Sequence, residues 1–127
     1  MLHNLFENAR DIIIVEDEPL ISIMIEDMAQ GLGWIVAGCA YNADQALALV
    51  HTAKPSLALL DIELGRGTSL DVAAACRERG IPVLFVTGYT ARDLPSECGD
   101  TPVLAKPFSA EQLSRAMGRC VPAVAYH

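Results

Sequence analysis

The chain has 127 residues, 52% hydrophobic and 20% charged, and its 16 acidic and nine basic side chains give a net charge of −7. That length suits a single domain burying about two-thirds of its unfolded surface, and an acidic balance with no basic run argues against a nucleic-acid partner. No apolar stretch approaches a membrane span and residues 1–10 lack the apolar core of a signal peptide, so a cytoplasmic protein without a membrane partner is expected. Cys39, Cys76, Cys98 and Cys120 are scattered, with no C-x-x-C spacing. They read as free, partly buried thiols in a reducing compartment.

Strand-like and helix-like signals alternate. The first strand covers residues 11–16, rich in Ile and Val and apolar on both faces, as a central parallel strand is. Pro19 suits the first position of a helix whose apolar stripe is Leu20, Met24, Ile25, Met28 and Leu32, ended by Gly31 and Gly33. Residues 34–40 read as a second strand. Asn42 and Gln45 have the cap-to-third-position spacing, and Ala43, Ala46, Leu47 and Val50 share a face. Lys54-Pro55-Ser56 turns into a third strand, Leu57–Asp61.

A glycine-rich loop, residues 65–69, caps a helix over about 70–79, which Gly80 stops. Residues 81–87 form a fourth, fully apolar strand. In residues 90–101, Pro95 and Gly99 interrupt any helix, which predicts a short helix or a mobile loop. Val103–Ala105 is a short fifth strand. Ser109 and Gln112 repeat the capping pattern before the face Leu113, Ala116, Met117 and Cys120. His3, His51 and His127 read as surface residues and Trp34 as packing. The alternation predicts an α/β fold, a five-stranded parallel sheet with helices on both faces and a core over residues 11–120 of one domain.

Three of these strands deliver charge to one edge. The first runs into Glu16-Asp17-Glu18, the third ends at Asp61, and the fifth runs into Lys106-Pro107. Parallel sheets bind ligands beyond the carboxyl ends of their strands, and carboxylates converging there repel unless a cation joins them. Each residue has a plainer reading alone. Glu16 and Asp17 suit a helix start beside Pro19, Thr87 suits a strand end, and Lys106 suits a solvated turn. Asp61 is the hardest to dismiss, because an acid after four apolar residues is expensive unless paired or functional.

Together, Glu16, Asp17, Asp61, Thr87, Lys106 and Pro107, in this order and each at a strand end, closely resemble the receiver domain of two-component response regulators. The resemblance covers residues 11–120. It implies a flavodoxin-like strand order, 2-1-3-4-5, and a signalling switch rather than an enzyme, one that catalyses only its own phosphorylation and dephosphorylation. Asp61 would be the phosphoacceptor. Mg²⁺ would be held by Asp17 and Asp61, by the backbone carbonyl of Glu63, and by Glu16 through water. Lys106 would pair with Asp61 at rest and with phosphoryl oxygen afterwards, and Thr87 would hydrogen-bond the phosphoryl group. A histidine kinase or phosphotransfer protein would be the donor, and an unidentified protein the downstream partner.

Two features narrow the resemblance. Phe85-Val86-Thr87-Gly88-Tyr89 with Pro107, Phe108 and Leu113 looks like the subgroup nicknamed FATGUY, common among short bacterial regulators paired with unorthodox histidine kinases. Val103 stands where most receivers have an aromatic switch residue, which shifts the expected switch to residues 90–101, and the loop after Asp61 lacks the usual proline. A stand-alone switch is expected, since few residues follow Cys120. The alternatives are a pseudo-receiver, an interaction module that is not phosphorylated, and a metal-dependent phosphatase using Glu63 or Tyr89 for turnover. The first usually lacks the acceptor, the acid pair or the lysine, all present here.

Overall fold

The computed structural model describes residues 10–65, 69–88 and 94–121. Five parallel strands, β1 (Asp11–Val15), β2 (Ile35–Ala40), β3 (Leu57–Asp61), β4 (Val83–Thr87) and β5 (Val103–Ala105), form one sheet in the order β2-β1-β3-β4-β5. Four helices connect or follow them: α1 (Pro19–Gly31), α2 (Ala43–Ala53), α3 (Leu70–Glu78) and α4 (Ala110–Cys120). This is the flavodoxin-like order expected of the chain. Among the described residues between β4 and β5 lies a 3₁₀ turn, Ser96–Cys98, flanked by Pro95 and Gly99. Residues 90–93 of that segment lie outside the described residues, as do Tyr89, His3 and His127.

The two-residue strand period divides the core. Ile13, Val15, Ala58, Leu60, Val83 and Phe85 face α2 and α3, while Ile12, Ile14, Leu57, Leu59 and Leu84 face α1 and α4. Both sets are almost wholly buried, and this double burial is why β1, β3 and β4 read as continuous apolar runs. β1 and β2 slip register between Ile12 and Ile13, bringing Gly38 opposite Ile13. A Cβ at Gly38 would come within 2.8 Å of the Leu49 side chain, so glycine is what lets α2 settle onto the edge strand.

Both predicted cap-to-third-position pairs form. Ser109 and Gln112 make a reciprocal capping box at α4. At α2 the Asn42 side chain accepts from the Gln45 amide at 2.8 Å, but the Gln45 side chain reaches one residue further back and accepts from the Tyr41 amide at 2.9 Å. Trp34 is half-buried with the Arg10 guanidinium 5.8 Å from its ring centroid. The four cysteines are free thiols.

The stripe assigned to α1 holds at Ile25, Met28 and Leu32 and fails at Leu20 and Met24. Ile25 and Ala29 are buried with Ile21, Met28 and Leu32 beside them, while Leu20 and Met24 are 82% and 48% exposed. Residues 20–25 are apolar at five of six positions, so periodicity admits two phases about one residue apart. Ser22 and the small Ala29 on the inner face select the phase that lets the helix approach the sheet. Leu20, Ile23 and Met24 form an exposed apolar ridge.

Candidate functional site

The carboxyl edges of β1, β3, β4 and β5 surround an open pocket of about 470 Å³. Asp17 and Glu18 reach it from the turn after β1, Asp61 from the last position of β3, Thr87 from the last position of β4, and Lys106 from just beyond β5. Every sequence-predicted site residue is there or directly beneath. Glu16, 1% exposed, lies under the floor, and one carboxylate oxygen from each of Glu16, Asp17 and Asp61 falls within 4.8 Å of the others.

Backbone bonds hold the acids together. The Glu16 amide donates to the Ala40 carbonyl at 3.0 Å, continuing the ladder one residue past β1. One Glu16 oxygen accepts from the Glu18 amide at 3.2 Å, and Asp61 Oδ1 accepts from the Glu63 amide at 3.3 Å. The Lys106 amide donates to the Thr87 carbonyl at 2.8 Å, placing the lysine beside β4. Gly65, at φ 71°, brings the loop after β3 over the acids, and a Cβ there would stand 3.0 Å from Asp17 Oδ2. Its left-handed backbone is open to glycine at no steric cost.

The lysine makes the expected pair with Asp61 and a second, shorter one with Glu16. Lys106 Nζ lies 2.6 Å from Glu16 Oε1 and 3.4 Å from Asp61 Oδ2, so its short bond goes to the buried glutamate. A strongly desolvated carboxylate attracts an ammonium more than one at the pocket surface does, and Glu16 is the more deeply buried of the two. Burial pulls the Lys106 ammonium down. The Glu16 hydrogen bond and the charges of Asp61 and Glu16 outweigh that and hold its pKa above the ordinary lysine value.

One ammonium does not neutralise three carboxylates. The Asp61 carboxyl is pushed up to about 6, first by burial and then by the charge of Glu16, with Lys106 and the Glu63 amide opposing. This carboxyl is thus kept desolvated and repelled in a pocket open to solvent. A closed ion-pair network would relieve that charge instead of retaining it.

Sequence reasoning misses Ser69. It places this residue in a capping loop, yet Ser69 makes no side-chain cap bond to α3. Its hydroxyl donates to the Asp61 carbonyl at 2.6 Å and its amide donates to the Ile62 carbonyl at 3.0 Å, closing the loop beneath Asp61. No sequence signal separates that role from an ordinary cap. Of the two groups considered for phosphatase turnover, Glu63 lines the pocket and Tyr89 lies outside the described residues.

This fold with this acid-acid-lysine edge is that of a receiver domain. The response regulator receiver domain family matches residues 12–117, and the chain belongs to that family. It is similar to the phyllosphere-induced regulator PhyR of Methylorubrum extorquens, 37% identical over 117 residues, which cover 89% of this chain and 44% of that one. The BeF3-activated conformation of SdrG from Pseudomonas melonis Fr1 superposes with a TM-score of 0.77 at 38% identity, over 87% of this chain and 94% of that one. A mutant form of the anti-anti-sigma factor PhyR from Bartonella quintana superposes with a TM-score of 0.76 at 27% identity, over 94% of this chain and 52% of that one. The chain therefore spans about half the length of the two PhyR proteins. Among the described residues no helix is long and apolar enough to cross a membrane.

Proposed function

We propose that this chain is a phosphoacceptor switch in which Asp61 takes a phosphoryl group from a histidine kinase or phosphotransfer protein in the cytoplasm. The observation that carries this reading is the desolvated, charge-frustrated Asp61 carboxylate at the mouth of a pocket, with Lys106 3.4 Å away and two further acids beside it. The carboxylate attacks phosphorus in line, and the bond to the donor histidine nitrogen breaks as the Asp61–phosphoryl bond forms. The donor histidine keeps the electron pair of that bond. Lys106 steadies the new phosphoryl oxygens as a point charge, and Thr87 offers them a hydroxyl.

The donor set fits Mg²⁺: hard oxygens only, with one or two direct carboxylates and room in the pocket for retained waters. Asp17 and Asp61 would hold it directly, with the Glu63 carbonyl added by family resemblance. Glu16, engaged by Lys106 and the Glu18 amide, would act through water. When bound, the ion would neutralise the carboxylate and phosphoryl oxygens together. Exposed Leu20, beside Glu18 and Ile21 at the pocket rim, offers apolar area to a docking donor protein. SdrG is described in a BeF3-activated conformation, and the same phosphoryl mimic is the natural probe here. PhyR from Bartonella quintana is described as an anti-anti-sigma factor, but that chain is about twice as long. For this chain we infer only that phosphorylation alters its contact with a protein partner.

The metal assignment has a pH signature. Without metal the folded state holds a proton on Asp61 up to about pH 6, whereas an unfolded aspartate releases it near 3.8. Stability of the metal-free protein should therefore fall as pH rises through that window, because the folded state binds more protons there. Mg²⁺ competes with this proton, so it should raise the melting temperature clearly at pH 7.5 and hardly at pH 5. Amide shifts at Asp17, Asp61 and Glu63 should accompany it. Equal stabilisation at both pH values, or unmoved amides, would place the ion elsewhere.

A further inference from the structure

The opposite edge of the sheet gathers charge of the other sign. The strands begin there, and α2, α3 and α4 end there. Arg77, in the last turn of α3, and Arg119, in the last turn of α4, line an open cleft of about 330 Å³ with Ile81, Pro82 and Pro102 among its walls. An adjoining hollow of about 400 Å³, which shares Ile81, is lined by Lys54 and Arg79. Four of the nine basic side chains thus surround two neighbouring hollows, and among the described residues no acidic side chain lines either.

Helix dipoles favour a cation at each helix end, by about 0.3–1 kcal/mol. That explains single basic residues and not their gathering around concave space in a chain with 16 acids. Among the described residues no salt bridge joins any of these four cations to a carboxylate. Arg77 Nη2 donates to Thr101 Oγ1 at 3.1 Å, which ties its guanidinium to the turn before β5, and among the described residues no acceptor takes its other donors. Arg79 meets the His51 ring, which supplies no carboxylate. A mostly apolar cleft of this size with a few fixed polar groups has the make-up of a small-molecule site.

We propose that the Arg77–Arg119 cleft binds a small phosphorylated molecule, independently of the acceptor site at the other end of the sheet. A guanidinium matches phosphate with two parallel N–H donors, and the Ile81, Pro82 and Pro102 walls accept the uncharged part of such a ligand.

Inorganic pyrophosphate is the probe, titrated into ¹⁵N-labelled protein in magnesium-free buffer with ionic strength held constant by sodium chloride. Saturable amide shifts are expected at Arg77, Thr101, Arg119 and Cys120, with none around Asp61. Arg77→Gln with Arg119→Gln should weaken binding about tenfold or more, the loss of roughly one charge-assisted contact. Exposed Arg119→Gln alone should weaken it several-fold and serves if the double variant does not fold. An unchanged magnesium response at Asp17 and Asp61 shows that the variants keep their fold. Shifts that fail to saturate, that sodium chloride alone reproduces, or that persist unchanged in the variants would overturn the site.

Discussion

Asp61→Asn should abolish the gain of one phosphoryl mass expected of the wild-type chain with Mg²⁺ and a small phosphodonor. The amide is nearly isosteric and can still accept from the Glu63 amide, which lies 3.3 Å from Asp61 Oδ1, but it supplies no nucleophilic oxygen. The same change should raise stability in metal-free buffer at pH 7.5. It removes a carboxylate whose burial and Glu16 neighbour push its pKa to about 6. The gain should be on the order of 1–2 kcal/mol, a value that already includes the opposing Lys106 contact at 3.4 Å and is reduced by solvent screening at the open pocket. Denaturant midpoints measure the second effect and intact mass the first. Persistent labelling of the variant would move the acceptor to another residue, and a destabilised variant would mean that Asp61 is an ordinary structural ion-pair partner.

Lys106→Ala should leave phosphorylation possible and uncouple it from the shape change. Its structural cost comes from Glu16, which is 1% exposed and would lose the ammonium 2.6 Å away. Removing one partner of a buried pair costs about 3–5 kcal/mol. Lys106 is itself one-fifth exposed, so about half that loss is expected in metal-free buffer. Mg²⁺ should recover part of it by supplying positive charge to the same acids. With BeF₃⁻ and Mg²⁺, the variant should lose the amide shifts that spread from Thr87 and Gly88 in the wild type. A variant spectrum identical to that of the activated wild type would deny Lys106 its coupling role.

The strand ends are legible because β1, β3 and β4 are buried on both faces, and apolar runs that stop abruptly at acids announce a sheet edge. Asp61 and Lys106 can be brought together from sequence because parallel strands share one carboxyl edge. That the shorter of the two Lys106 contacts goes to Glu16 cannot, since it turns on side-chain reach and relative burial beneath the pocket floor. The α1 phase is ambiguous because Leu20, Ile23 and Met24 are apolar and yet face outward. Ser69 escapes for a related reason: one hydroxyl suits either a helix cap or the Asp61 carbonyl, and only the closed loop decides. The Val103 argument is a matter of chemistry that sequence does show. The side chain is half-buried against the α2–α3 side of the core, and it carries no ring to rotate.

The most direct measurement is the intact mass of the wild-type chain after exposure to a small phosphodonor, with Mg²⁺ in one sample and a chelator in the other. A single phosphoryl addition that needs the metal, decays on standing as an acyl phosphate does, and is missing from Asp61→Asn is the predicted result. An unmodified mass in the presence of Mg²⁺, under conditions where the amides of Asp17 and Asp61 report bound metal, would contradict the phosphoacceptor assignment and leave the pocket as an interaction surface.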